Sequence, residues 1–385
     1  MSSNHIDTAK EAKLLLPACV IGIMLMIFGL YAHGQTVHQL NYNNSNWSDQ
    51  NLFGATTDSK SGIAGFPTTP NNDLHVYYLS SSDHVRQLFF NGTSWGDEDL
   101  TSETGGPVAM ANGAVTGFSF QNFQYVFYSA SNGHIHQLLY NNANWADTDL
   151  TAQTAGPVSD GLQLIAFATT PNNALHVYYA STGKHIQQLY NVGGGWQNQD
   201  LTTLTGGPAT GGRWISGVSI ANFQYVYYFG SDRNVHELFY NNVTWTDENL
   251  SPATVGPIGG SGLAATVVPG TKKIRVYFIG PSNHVFQLGS TNNKKWVLQD
   301  LSKKTKTVGG NAGNQIVAFA TTPNNQMHVY YMLGNDVNQL FLPSPSTIWS
   351  NTDLTALTHG GSAVGNSGMA GFSLQNLQYV FYLAN

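Results

Sequence analysis

A tryptophan returns at near-constant spacing through almost the whole chain, at Trp47, Trp95, Trp145, Trp196, Trp245, Trp296 and Trp349. The steps are 48, 50, 51, 49, 51 and 53 residues. Each Trp sits in one local phrase, with Val/Ile-x-Gln-Leu upstream and Asp/Asn-Leu, usually followed by Thr or Ser, downstream. Residues 85–101 read VRQLFFNGTSWGDEDLT and residues 135–151 read IHQLLYNNANWADTDLT. A fixed period of this length marks a repeat architecture, in which one supersecondary unit is copied and stacked. It also implies a function repeated around the molecule.

Each repeat spells a small antiparallel sheet. In one copy, residues 117–120 and 125–129 are short apolar and aromatic runs, and a turn at 131–133 follows. Two further runs cover 135–140 and 145–150. Runs rich in Val, Ile, Tyr and Phe, split by Asn, Gly, Ser and Asp, read as strands joined by tight turns. Helical periodicity is missing from Val37 onward. Four strands in about 50 residues is the size of one propeller blade. No Gly-His and Trp-Asp pair frames the repeat, which excludes a WD40 array.

The ends set the blade count. Second strands begin near His75, Tyr125, His176, Tyr225, Arg275, His328 and Tyr379; third strands begin near Val37, Val85, Ile135, Ile186, Val235, Val285 and Val337. The chain thus enters on a third strand and stops after a second one. The halves complete each other only if 37–52 pairs with 371–383, which also removes an exposed edge. The expectation is an all-β, seven-bladed β-propeller of four-stranded antiparallel blades, its last blade closed by N- and C-terminal strands.

Two regions follow, residues 1–34 and the propeller at 35–385. Residues 14–32 are apolar, preceded by Lys10 and Lys13 and followed by the small residues Ala32 and Gly34. This reads either as a secretory signal cut before Gln35 or as an uncleaved signal anchor in a membrane. Both make the propeller secreted or cell-surface. The single cysteine, Cys19, lies in that segment, so the ring must close without disulfides. With 9% charged residues, a formal net charge of −6 and no basic run, the chain does not suit nucleic acid.

Catalysis finds little support. The recurrent carboxylates Asp99, Asp149, Asp200, Asp300 and Asp353 are replaced by Asn51 and Asn249 in two repeats. The position therefore wants a hydrogen-bond acceptor, as a turn-capping side chain does. Sialidase-type Asp boxes, a Gly-x-Ser-x-Gly elbow and His-Glu-x-x-His are all absent. His134 and His136 share one face of a strand, but the sequence supplies no third ligand, so no metal and no cofactor is expected. Near-equivalent positions do not make the asymmetric constellation that an enzyme needs.

Neutral sugars fit this composition. A pyranose needs donors and acceptors, which Asn, Gln, Ser and Thr supply, and an aromatic face for its C–H patch, which Trp and Tyr supply. The seven repeated tryptophans serve either this purpose or blade packing. Trp214, in Gly211-Gly212-Arg213-Trp214, falls outside the register and reads as a loop residue facing solvent. Gln39, Gln87, Gln137, Gln188, Gln287 and Gln339, with Glu237 as exception, sit mid-strand among apolar neighbours. A buried amide must be paired, either by adjacent backbone or by a bound hydroxyl between blades.

These phrases, with Thr-Thr-Pro-Asn-Asn before His-Val-Tyr-Tyr at 68–78, 169–179 and 321–331, resemble the bacterial seven-bladed PLL-type lectins from Val37 to Asn385. The resemblance implies binding of L-fucose and related, sometimes O-methylated, sugars in clefts between blades, and homo-oligomerisation. It makes the repeated tryptophans, His75, His176, His328, Tyr125, Tyr225, Tyr379, Arg275, Gln87, Gln137, Gln188 and Glu237 the candidate carbohydrate-binding residues. Six-bladed fungal fucose lectins are more distantly similar. Their sites combine Arg, Glu and Trp, whereas here only Arg275 and Glu237 match, on different blades. The repeats alternate between a Thr-Thr-Pro-Asn-Asn/His kind and a shorter Gln-Tyr kind, except where the fifth and sixth blades adjoin. Two classes of cleft are therefore expected. A glycan partner is the first reading and a non-catalytic protein-interaction propeller the second, with a hydrolase third, since propellers host all three.

Overall fold

The computed structural model describes residues 34–385, apart from 53, 55, 58–61, 69–70, 252–259, 291–294, 308–314 and 366. The signal or anchor segment and Cys19 lie outside the described residues. Twenty-eight strands form seven four-stranded antiparallel sheets. Blades 1 to 6 run in chain order over residues 63–99, 115–149, 159–200, 210–249, 261–300 and 316–353. Blade 7 joins Met369–Leu374 and Leu377–Ala384 to Thr36–Tyr42 and Trp47–Asn51. Its closing register runs from Thr36 opposite Ala384 to Tyr42 opposite Gln378. The composite blade read from the sequence is thus the observed one.

First strands of consecutive blades touch one another all the way round, including Met369–Leu374 of blade 7 against Ile63–Pro67 of blade 1. Second strands are buried on both faces: Tyr77 and Tyr78, adjacent and pointing to opposite sides, are both fully buried. The reason is that the seven apolar cores lie between blades rather than within them. The core shared by blades 1 and 2, for example, joins Tyr77 and Leu79 to Val126, Tyr128, Leu138 and Trp145. The period-two pattern therefore has no polar face on these strands.

Short-range chemistry explains the repeated phrase. In Asn-Asn-x-x-Trp, the first Asn side chain accepts from backbone N–H groups two and three residues on, as Asn141 does from Ala143 and Asn144 at 3.1 and 3.0 Å. The second Asn takes a left-handed backbone, at Asn44, Asn142 and Asn242. The Asp before Leu is an N-cap. Asp99, Asp149, Asp200, Asp300 and Asp353 each start a five-residue helix and accept from its third N–H. These helices are too short to leave a periodicity in the sequence. The Thr or Ser after Leu ties the helix to the third strand, as Thr101 Oγ1 does by accepting from Val85 N at 2.9 Å.

Closure rests on one strand. Leu40, fully buried in blade 7, is the counterpart of Leu138 in blade 2. We expect Leu40→Ala and Leu138→Ala each to cost about 2–5 kcal/mol in denaturant unfolding, within one cooperative transition. A cost below about 1 kcal/mol at Leu40 alone would mean that the closing strand lies outside the cooperative unit.

Candidate functional site

Every blade joins the next through the same aromatic contact. Trp145 of blade 2 sets its ring edge-on to Tyr77 of blade 1, with centroids 6.2 Å apart. Trp196 meets Phe127 likewise, Trp245 meets Tyr178, and Trp296 meets Tyr227. Trp349 meets Tyr277, Trp47 meets Tyr330 and Trp95 meets Phe381, all between 6.0 and 6.3 Å. The seven tryptophans thus belong to the blade-to-blade packing. Trp145 and Trp245 also wall open clefts of about 600 and 440 Å³ between blades 1 and 2 and blades 3 and 4.

Three clefts share one hydrogen-bonded floor. In the cleft between blades 1 and 2, the Gln87 amide nitrogen lies 2.6 Å from His75 Nδ1, 3.0 Å from the Tyr77 hydroxyl and 3.1 Å from Gln124 Oε1 of the next blade. The Tyr77 hydroxyl donates to Gln124 Oε1. Since Nδ1 accepts from the amide, the imidazole proton sits on Nε2, 3.3 Å from Thr68 Oγ1. Between blades 3 and 4, Gln188, His176, Tyr178, Gln224 and Thr169 repeat this, with the amide 3.0, 2.9 and 2.9 Å from its acceptors. Between blades 6 and 7, Gln339, His328, Tyr330, Gln378 and Thr321 repeat it again at 3.0, 2.9 and 3.0 Å.

This corrects the expected partner of the Gln row. The side-chain amides of Gln87, Gln188 and Gln339 donate to His, Tyr and a Gln contributed by the next blade rather than to adjacent backbone. Gln124, Gln224 and Gln378 are the site residues that sequence reasoning missed. Their signal was the Phe/Leu-Gln-Tyr phrase, whose Gln served only to mark the second kind of repeat.

The floors are neutral. Burial lowers the His75 and His176 imidazoles to about 4 and His328 to about 3. At neutral pH they are uncharged imidazoles and weak bases. The mouths differ where the floors agree. Asp73, Glu98, Glu103 and Asn142 frame the cleft between blades 1 and 2. Val192, Leu204 and Val243, at 59%, 58% and 80% exposure, frame that between blades 3 and 4, with Tyr190 and Tyr240.

The other four clefts lack the imidazole. Tyr125 and Tyr379 are buried against Phe118 and Phe372, with centroids 5.3 and 5.4 Å apart. Gln137 is buried beside Phe127. Tyr225 lies in the blade 4–5 cleft with Glu237, whose Oε2 accepts from the Tyr227 hydroxyl at 2.7 Å. Arg275 lies one cleft further on, opposite Gly289 where blades 1 and 6 carry Phe89 and Phe341. Its Nη1, the Tyr277 hydroxyl and Gln287 Oε1 are buried without a hydrogen-bond partner. The Arg and the Glu do not meet. His and Tyr clefts thus alternate around the ring, with Glu237 setting one Tyr cleft apart, and the Arg275 cleft interrupts the alternation at the fifth blade.

Trp214 also departs from expectation. It is half-buried in the strand Thr210–Ile220 and packs on the core between blades 4 and 5. Gly211 and Gly212 lie within a register shift of that strand rather than in a loop.

No family model matches the chain, and no protein of curated function matches its sequence. Its fold is shared with solved lectins. The Aleuria aurantia lectin, described as a six-bladed β-propeller and solved with α-methyl-L-fucoside, aligns at 15% identity and a TM-score of 0.56, over 77% of this chain and 95% of its own. AofleA from Arthrobotrys oligospora aligns at 15% and 0.54, over 90% and 92%. The BP39L lectin from Burkholderia pseudomallei aligns at 12% and 0.58, over 79% and 90%. At these identities the likeness is one of fold.

Glu237 stands where six other blades carry Gln, and burial pushes its carboxyl up to about 7 from 4.5. The folded state holds this proton more tightly than the unfolded one. That contribution is full below about pH 4.5 and is lost as pH rises through 7. Glu237→Gln should therefore stabilise the protein at pH 8 by up to about 3 kcal/mol and by little at pH 4.5, measured by denaturant unfolding at both. An equal effect at both pH values would show that the carboxyl titrates normally.

Proposed function

We propose that the protein is a non-catalytic, multivalent lectin that binds neutral sugars of the fucose type, including O-methylated ones, in the clefts between blades. The observation that carries this reading is the threefold floor of His, Tyr, Thr and two Gln. It is polar, uncharged and repeated on one rigid ring, beside a Trp and a Tyr at two of the three mouths. A sugar ring presents hydroxyls to amides and a C–H face to an aromatic ring. The exposed Leu204 and Val243 offer an apolar seat for a methyl group, which a 6-deoxy or O-methylated sugar provides. The lectin neighbours share this fold, and the sequence resemblance points the same way.

Multivalency gives weak sites their use. Several sites on one ring can raise avidity for a glycan-coated surface by about 10²–10⁴ over one site. The apolar N-terminal segment fits a role outside the cell, either secreted or held at the membrane.

On a glycan array, the full-length protein should bind fucosylated or O-methylated glycans, and free L-fucose should displace it. Array binding that free sugars leave untouched, or a silent array with capture of protein ligands, would favour the interaction-propeller reading. Leu204→Glu with Val243→Glu, both at exposed positions, should remove one sugar site per chain in calorimetric titration and leave the thermal midpoint unchanged. An unaltered stoichiometry would place the sites elsewhere.

A further inference from the structure

We propose that blade 2 carries a site for one divalent transition-metal ion, formed by His134, His136 and Asp149. It lies where the third strand Ile135–Tyr140 begins, at the far end from Tyr140, which lines the cleft between blades 1 and 2. The sequence offers two imidazoles; the fold adds the carboxylate. Ligand atoms of the three side chains lie within 4.8 Å of one another. His134 Nδ1 is 2.7 Å from Asp149 Oδ2, and His136 Nε2 is 3.5 Å from the same oxygen. An ion with bonds of 2.0–2.1 Å in tetrahedral geometry separates its ligand atoms by about 3.3 Å. A small turn of the half-exposed His134 would bring these atoms to that spacing.

The unpartnered ring nitrogen of His136 is the second observation. Asp147 Oδ1 lies 2.8 Å from Nδ1 and accepts its proton. With Nδ1 engaged there, Nε2 is the ring atom left to ligate; it is buried and has no hydrogen-bond partner. It faces Asp149 Oδ2 at 3.5 Å, close to the spacing of two ligand atoms on one bound ion. Asp147–His136 is also the carboxylate–imidazole pairing that orients metal-bound histidines. Asp149 can ligate without losing its cap, because Oδ1 accepts from Ala152 N while Oδ2 faces the histidines. Imidazole and carboxylate donors with one solvent-facing position suit zinc, nickel or copper.

Among the described residues no other blade has this set. Arg86 takes the place of His136 in blade 1 and bonds Asp99 itself at 3.1 Å. Gln187 and Phe286 occupy it in blades 3 and 5. In blade 4, His236 Nε2 is taken by Asp232 at 3.1 Å, and Asn249 replaces the carboxylate. In blade 7, Asn51 does so.

Zinc titration of the chelator-treated full-length protein by calorimetry is the test. The expected result is one ion per chain, lost in His136→Gln and in Asp149→Asn and unchanged in His236→Gln. Asn already stands at the Asp149 position in two blades, so that variant should fold; circular dichroism and the thermal midpoint check each variant. Asp147→Asn should weaken binding about 10–100-fold. X-ray absorption should show a nitrogen and oxygen shell with two imidazoles. Absence of saturable binding, binding retained by folded His136→Gln, or a sulfur shell that places the ion at Cys19 would each overturn the proposal.

Discussion

The pairing of Thr36–Tyr42 with Leu377–Ala384 is the contact on which everything else rests. The seven apolar cores lie between blades, so no blade can bury its own faces, and a ring left open would expose two of them at once. The described residues contain no cysteine, so strand pairing and packing alone hold the ends. Closure also builds a cleft. Gln378, on the C-terminal strand of blade 7, completes the floor that Gln339 begins in blade 6, while Trp47 from the other end of the chain caps it. Ring closure and the floor of this cleft share these residues.

The same economy sets the chemistry of the clefts. A buried Tyr hydroxyl, an imidazole and two amides satisfy one another across the blade boundary without a formal charge. Burial keeps the imidazoles neutral well below physiological pH. Such a surface exchanges hydrogen bonds with hydroxyl groups at little electrostatic cost. Alike floors under different mouths make the clefts related but unequal. Leu204 occupies in one mouth the place that Glu103 occupies in another.

Architecture was legible in the sequence because it is written in short-range, repeated signals. The Trp period counts the blades, and the odd ends reveal the composite one. What the sequence hid depends on contacts made only after stacking. Gln87 and Gln124 are 37 residues apart and meet across a blade boundary, so neither looks special alone. The Asp caps were legible as acceptors, but their one-turn helices were not. Trp214 was misread because Gly211 and Gly212 suggest a loop, whereas here they serve an irregularity in a lengthened strand. His134 and His136 announce themselves as a pair; Asp149 joins them only when the outer strand folds back beside the third.

We propose the three equivalent clefts, and not the other four, as the principal sugar sites. A crystal structure of the protein soaked with α-methyl-L-fucoside tests it directly. The account predicts sugar beside His75 and Gln124, beside His176 and Gln224, and beside His328 and Gln378. Sugar found only in the Arg275 or Glu237 clefts, or none in any cleft at saturating concentration, would contradict it.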